Sequence, residues 1–247
     1  MSIKSERELA QLQAIGRIVR KALDRMAAAV RPGITTAELN DTGSRVLSAE
    51  GARSAPPMVY GFPGDVCISV NEEAIHGIPG KRVLCEGDLV KLDLVAEKNG
   101  FYADAAVTVA VGAVSPVAEA LIRAAENAFR QATKAARAGS RVCEIGRAVE
   151  REVKSRGFSV LRELCGHGVG RTIHEEPSVP NYHDPRSRGR LSDGLVITIE
   201  PIIAAGEGKA TLQPDRWTVV TADRSLSAHY EHTIVITRGS PILLTAA

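Results

Sequence analysis

The sequence predicts an α+β fold in which helix, tight turn, helix and strands occur twice, with both sets of strands meeting in one shared sheet. Three observations carry this prediction. Two helical stretches near the start are punctuated by glycine turns, and two more follow Ser115-Pro116. β-Branched runs at 195–199 and 233–236 read as strands. Finally, Arg31-x-Gly33-x4-Glu38-Leu39 with its closing Gly51 matches Arg137-x-Gly139-x4-Glu144-Ile145 with its closing Gly157, every position offset by 106. Any two helix hairpins can share a glycine turn, but five matched positions favour an internal duplication. A duplicated chain is expected to carry its site where the halves meet.

In order, the first helix is expected over about 6–30, stopped by Pro32-Gly33. The second opens at Thr35-x-x-Glu38, which has the form of a capping box, and ends near Gly51. The third opens at Ser115-Pro116, an N-cap followed by proline in the first turn, and runs to about Ala138. The fourth covers about 143–156 and ends at Gly157. Residues 181–193 are polar and read as an exposed loop. One domain over 1–247 is expected, with halves at about 5–112 and 115–247.

Composition excludes several classes. Hydrophobic residues at 44% and charged residues at 24% argue for a packed core rather than disorder. A net charge of +2 gives no electrostatic footprint for nucleic acid or an acidic membrane. No apolar run approaches the ~18 residues of a membrane helix, and the charged start lacks the apolar stretch of a signal peptide. A soluble cytoplasmic protein is expected. Cys67, Cys85, Cys143 and Cys165 form no C-x-x-C pair and read as buried thiols rather than a disulfide framework.

Acids and histidines recur on apolar backbone. Asp93 and Asp104 flank the hairpin signal Asn99-Gly100. A two-residue turn there puts Asp104 opposite Val95 and diagonal to Asp93; a four-residue loop over 97–100 puts it opposite Asp93. Either register sets both carboxylates on one face, ~5–8 Å apart. Facing like charges destabilise a strand pair unless a cation lies between them. For this pair alone, a solvated edge hairpin is the plainer reading. Gly166-His167-Gly168-Val-Gly170-x3-His174 adds two histidines to glycine-rich backbone. Glu200 closes one apolar strand and Glu231 opens another, where an unpaired charge is costly. His76 sits in Asn71-x4-His76-Gly77-x-Pro79.

Taken together, these segments resemble the type I methionine aminopeptidases of the pita-bread metallopeptidase fold. The resemblance rests on Gly61-Phe62-Pro63-x3-Cys67-x-Ser69-x-Asn71-x4-His76-Gly77-x-Pro79, on Asp93 and Asp104, and on Gly166-His167-Gly168-x-Gly170-x3-His174-Glu175-x-Pro177. It rests also on Thr198-Ile199-Glu200-Pro201 and Asp223-Arg-Ser-x-Ser227-Ala-x-Tyr230-Glu231-His232-Thr233. It implies pseudo-twofold halves around a curved, mainly antiparallel sheet. It implies two divalent ions (Co, Mn, Fe or Zn) ligated by Asp93, Asp104, His167, Glu200 and Glu231, with Asp104 and Glu231 bridging. Four carboxylates would balance two divalent cations. By the same resemblance His76 and His174 contact substrate, His174 donates to the developing oxyanion, and Glu200 carries the proton from water to the leaving amine. Val59, Phe62, Cys67, Ile173 and Trp217 would line the methionine pocket. Ile173 and Leu164 stand where the family usually carries aromatic residues, or Met at the second position.

The implied activity is removal of the N-terminal methionine when the second residue is small. The implied partners are N-termini of nascent polypeptides near the ribosome, with no direct contact to nucleic acid or membrane, and the chain is expected to be a monomer. Two other readings compete. A proline-directed aminopeptidase of the same fold usually carries an extra N-terminal domain, for which this length leaves no room. A non-catalytic pita-bread binding module typically loses ligands, whereas all five are present here.

Overall fold

The structure is a computed structural model describing residues 1–246. Helix α1 (Glu6–Ala29) is capped by the Ser5 hydroxyl, which accepts from the Glu8 backbone N–H. Its buried Leu12, Ile15, Val19, Leu23 and Met26 recur at three- and four-residue steps and form one inward stripe. Helix α2 (Thr36–Ala49) opens with the expected capping box between Thr35 and Glu38. Strand β1 (Arg53–Ser54) then leads into a short helix, α3 (Ala55–Tyr60), that the sequence reading lacked.

Strands β2 (Cys67–Val70), β3 (Glu73–Ile75), β4 (Leu89–Lys98) and β5 (Phe101–Ala110) complete the first half. Helix α4 (Pro116–Ala135) is capped by the Ser115 hydroxyl and stops three residues before the expected Ala138. Ala138 and Gly139 already donate to the carbonyls of Thr237 and Leu191, so the chain there is committed to other partners. Helix α5 (Val142–Ser155) follows. Strands β6 (Ser159–Val160), β7 (Cys165–Gly168), β8 (Glu175–Pro180), β9 (Val196–Ile199), β10 (Ile202–Ala204), β11 (Ala210–Leu212), β12 (Val219–Thr221), β13 (Ser227–His229), β14 (Glu231–Val235) and β15 (Ile242–Leu243) make up the rest.

Among the described residues the main sheet has nine strands, in the order β1-β4-β5-β14-β9-β7-β8, with β2 on β4 and β15 on β14. Every pair in it is antiparallel. The β4–β5 hairpin turns at Asn99 and Gly100, both with positive φ as a two-residue turn of this kind requires. Asp104 therefore lies opposite Val95, and Asp93 opposite Ala106. Alternation along β4 then decides what faces where. Val90, Leu92, Leu94 and Ala96 enter the core under α1 and α2, while Asp93 and Val95 line a cavity on the other face. A second core packs Leu121, Phe129, Ile145 and Val149 of α4 and α5 against Ile197, Ile199 and Ile234.

The 106-residue offset reappears in geometry. Gly33 and Gly139 share φ near 90°, and their N–H groups bond Leu84 O and Leu191 O, both at 2.8 Å. The offset also relates β1 to β6. There the halves diverge: β1 pairs with β4 in the main sheet, whereas β6 pairs with β10 in a separate three-stranded sheet. The 181–193 segment is irregular as expected, but Asn181, Asp184 and Leu191 are buried and tie it down. All four cysteines are free; Cys67 and Cys143 are buried, while Cys85 and Cys165 are exposed, against the expectation for those two.

Candidate metal centre

The face of the sheet turned away from α1, α2, α4 and α5 holds a cavity of about 110 Å³, walled on one side by Pro56 and Tyr60 of α3. Asp93, Asp104, His167, Glu200 and Glu231 all line it, drawn from β4, β5, β7, the end of β9 and the start of β14. His167 Nε2 stands 3.7 Å from Asp104 Oδ2 and 3.6 Å from Glu200 Oε2. One donor atom from each of Asp104, His167 and Glu231 lies within 4.8 Å of the others.

Local chemistry fixes these side chains. Gly166 and Gly168 let β7 press between its neighbours. A side-chain carbon at Gly166 would fall 2.7 Å from Thr198 O, and one at Gly168 2.2 Å from Glu176 O. The Thr198 hydroxyl accepts from the His167 backbone N–H at 3.1 Å and donates to Glu200 Oε2 at 2.7 Å, joining two of the five residues through one oxygen. Buried Asn181 donates to Glu200 O at 2.8 Å. Thr233 exchanges hydrogen bonds with the Asp104 backbone, clamping β5 to β14. His167 Nδ1 lies 2.9 Å from Gly168 O. A carbonyl only accepts, so Nδ1 carries the proton and the Nε2 lone pair faces the carboxylates, the tautomer a metal ligand needs.

Electrostatics point the same way. Burial pushes Asp93 up to about 7. Burial, then the charge of Asp93, holds Asp104 well above the ordinary carboxylate range. Glu200 rises through burial and then the charge of Glu231, and Glu231 through burial and then the charges of Asp104 and Asp93. Asp104 Oδ1 and Glu231 Oε1 are buried without any hydrogen-bond partner. Buried acceptors rarely go unpaired, and an oxygen-rich set with one neutral imidazole fits a divalent transition ion. Burial also lowers His167 and His76 to about 4, so both are neutral at pH 7.

Around this cluster stand His76, His174, Phe62, Cys67, Ile173 and Trp217, as the sequence reading expected. Phe62 and Trp217 meet edge to face at 5.3 Å. Burial, with Asp93 next, pushes the Cys67 thiol well up and keeps it protonated. Val59 is the exception. It is 44% exposed and does not line the cavity, because α3 turns Pro56 and Tyr60, four residues apart, inward instead. Leu164 packs beside Leu161 and Ile202, outside the lining.

Residues 10–238 match metallopeptidase family M24. The chain is 43% identical to "Methionine aminopeptidase 2" of Bacillus subtilis over 247 residues, 99% of each chain. The chain belongs to family M24 and, within it, to the methionine aminopeptidases. Its structure is similar to that of a methionine aminopeptidase from Thermotoga maritima, with TM-score 0.96, 35% identity and 100% of both chains covered. It is also similar to one from Rickettsia prowazekii, with TM-score 0.95, 33% identity and the same coverage.

Pro56, Tyr60, Ile75, Val95 and His229 complete the cavity of this methionine aminopeptidase family member and are not among the site residues expected from sequence. Pro56-Pro57 followed by Gly61 could have signalled a one-turn helix, since proline fits its first positions and glycine its end. His229 lies two residues before Glu231 and 3.4 Å from it; period-2 alternation was the available signal.

Proposed function

We propose that this chain hydrolyses the first peptide bond of polypeptides that begin with methionine and carry a small second residue, using two divalent cations. Asp93, Asp104, His167, Glu200 and Glu231 would hold the ions. When bound, the ions supply Lewis acidity at the scissile carbonyl and toward an attacking water. Glu200, oriented by the Thr198 hydroxyl, takes a proton from water and passes it to the leaving amine. His174 donates to the developing oxyanion, and His76 contacts the substrate. Phe62, Cys67, Ile173 and Trp217 hold the thioether. A cavity of about 110 Å³ is in keeping with the small-residue rule, because a bulky neighbour would displace the carbonyl. The substrates would be nascent chains, met in the cytoplasm by a monomer built as a single domain.

The observation that carries this reading is the gathering of four carboxylates and one imidazole at one cavity, with two buried carboxylate oxygens left unpartnered. The test is chelation, followed by reloading with Mn, Fe(II), Co or Zn and assay of Met-Ala-Ser against Ala-Pro peptides, with circular dichroism throughout. The expected result is an intact fold without turnover when metal-free, and release of methionine on reloading. Full activity without metal would reject the proposed ions, and preference for Ala-Pro would reject the substrate.

A further inference from the structure

Tyr60 has no part in the chemistry above, yet its hydroxyl lies 2.6 Å from His174 Nδ1. It is the last residue of α3, held there by Gly61, whose φ of +72° ends the helix. Its phenol ring leans against the imidazole at 5.6 Å, tilted by 39°. His174 in turn stacks edge-on against His167 at 4.3 Å. The cavity thus contains two touching imidazoles whose Nδ1 atoms have different partners. That of His167 faces a carbonyl, which fixes the proton on Nδ1. That of His174 faces a hydroxyl, which can donate.

We infer that the Tyr60 hydroxyl is a positioning group for His174: it donates to Nδ1 and so keeps the ring proton on Nε2, the opposite edge, which is free to face the cavity. The reverse assignment, Nδ1–H to the phenol oxygen, would turn an Nε2 lone pair toward a cavity walled by four carboxylates. It would also leave His174 with nothing to donate into the cavity. The two imidazoles are therefore held in opposite tautomers, His167 as a lone-pair ligand and His174 as a donor. This rests on the proposed function for its catalytic meaning, while the tautomer itself stands on geometry. The phenol ring has a second, separable part: it walls the cavity.

The test compares wild type with Tyr60→Phe and Tyr60→Ala, all zinc-loaded, by steady-state kinetics on Met-Ala-Ser and by ¹⁵N spectra of the histidine rings. The His174 signals are identified by their loss in His174→Asn. In wild type, His174 should show a protonated Nε2 and a hydrogen-bonded, unprotonated Nδ1. Tyr60→Phe keeps the wall and loses the donor, so the Nδ1 signal should move toward that of a free acceptor. kcat should fall about tenfold with KM within about twofold, the mark of an interaction made in the transition state. Tyr60→Ala should raise KM as well. A wild-type ring protonated at Nδ1 overturns the inference, as does a Tyr60→Phe protein with unchanged ring signals and kcat. If the ring signals behave as expected but no variant nor wild type releases methionine, the tautomer assignment holds and the proposed function falls.

Discussion

Lys91 and Asp93 stand two residues apart on β4, on the same face, and burial moves both toward neutrality at the same pH. Lys91 is 1% exposed. Desolvation lowers it to about 7, against the pull of Glu73 and Glu72. Asp93 rises to about 7. Their surroundings differ. The Lys91 ammonium donates to Asn71 O at 2.7 Å, an oxygen that also receives the backbone N–H and hydroxyl of Ser227. Asp93 looks onto three further carboxylates. A lone buried charge can settle by shedding a proton and leaning on one carbonyl. Gathered carboxylates raise one another and cannot ionise together until a cation arrives. Lys91 is thus part of the frame, and the acids form a receptor.

The largest expected effect breaks the receptor. Asp104→Asn and Glu231→Gln should each weaken divalent-metal binding and kcat/KM by more than about 100-fold, beyond the range for outer-shell partners. His76→Ala should leave metal affinity unchanged. Calorimetric titration of the three proteins decides it, and unchanged affinity in both carboxamide variants removes them from the ligand set.

Next comes the metal-free protein across pH. Asp93 is raised from an ordinary 3.8 to about 7, so the native state keeps a proton that the unfolded chain has lost. That contribution is complete below pH 3.8 and is lost as pH rises to about 7. Denaturant melts should show a fall on the order of a few kcal/mol across that window, abolished by saturating metal. A flat metal-free profile would mean that burial does not hold the proton on Asp93.

A smaller effect belongs to the link between ligands. Thr198→Val keeps the shape but removes the oxygen joining His167 N–H to Glu200, and should weaken metal binding about tenfold. Equal affinity would show that the link is incidental.

The smallest effect sharpens the contrast from the Lys91 side. Its folded value of about 7 lies below the unfolded 10.5, so the unfolded chain binds more protons between them and wild-type stability rises with pH over that range. Lys91→Met should therefore be more stable by about 1 kcal/mol at pH 7, with the gain shrinking toward pH 10.5. Melting of the metal-loaded proteins at both pH values checks this, and a destabilised variant would make Lys91 an indispensable strut.

What could be read from sequence follows the range of each signal. Caps such as Thr35 with Glu38, or Ser115 with Pro116, act within one turn and were legible. So was the Asn99-Gly100 turn, which fixes the relation of Asp93 to Asp104. The five proposed ligands and the two histidines proposed to contact substrate stood out through their motifs. Val59 was misplaced because facing in a one-turn helix cannot be seen without first seeing the helix. The three-residue strands β10, β11 and β13 are too short to show a period. Asn181 looked like loop polarity, and only the fold reveals that it holds Glu200.

The place of β14 in the sheet has a consequence for how the molecule is made. β5 and β9 do not pair; β14 lies between them, hydrogen-bonded to both. It is synthesised after all six other strands of that order, and it brings Glu231 with it. Until it inserts, the sheet is two unjoined pieces, one bearing Asp93 and Asp104, the other His167 and Glu200. The four carboxylates and the imidazole of His167 can therefore line one cavity only once β14 joins the two pieces, so the last strand of that order in sequence completes the site.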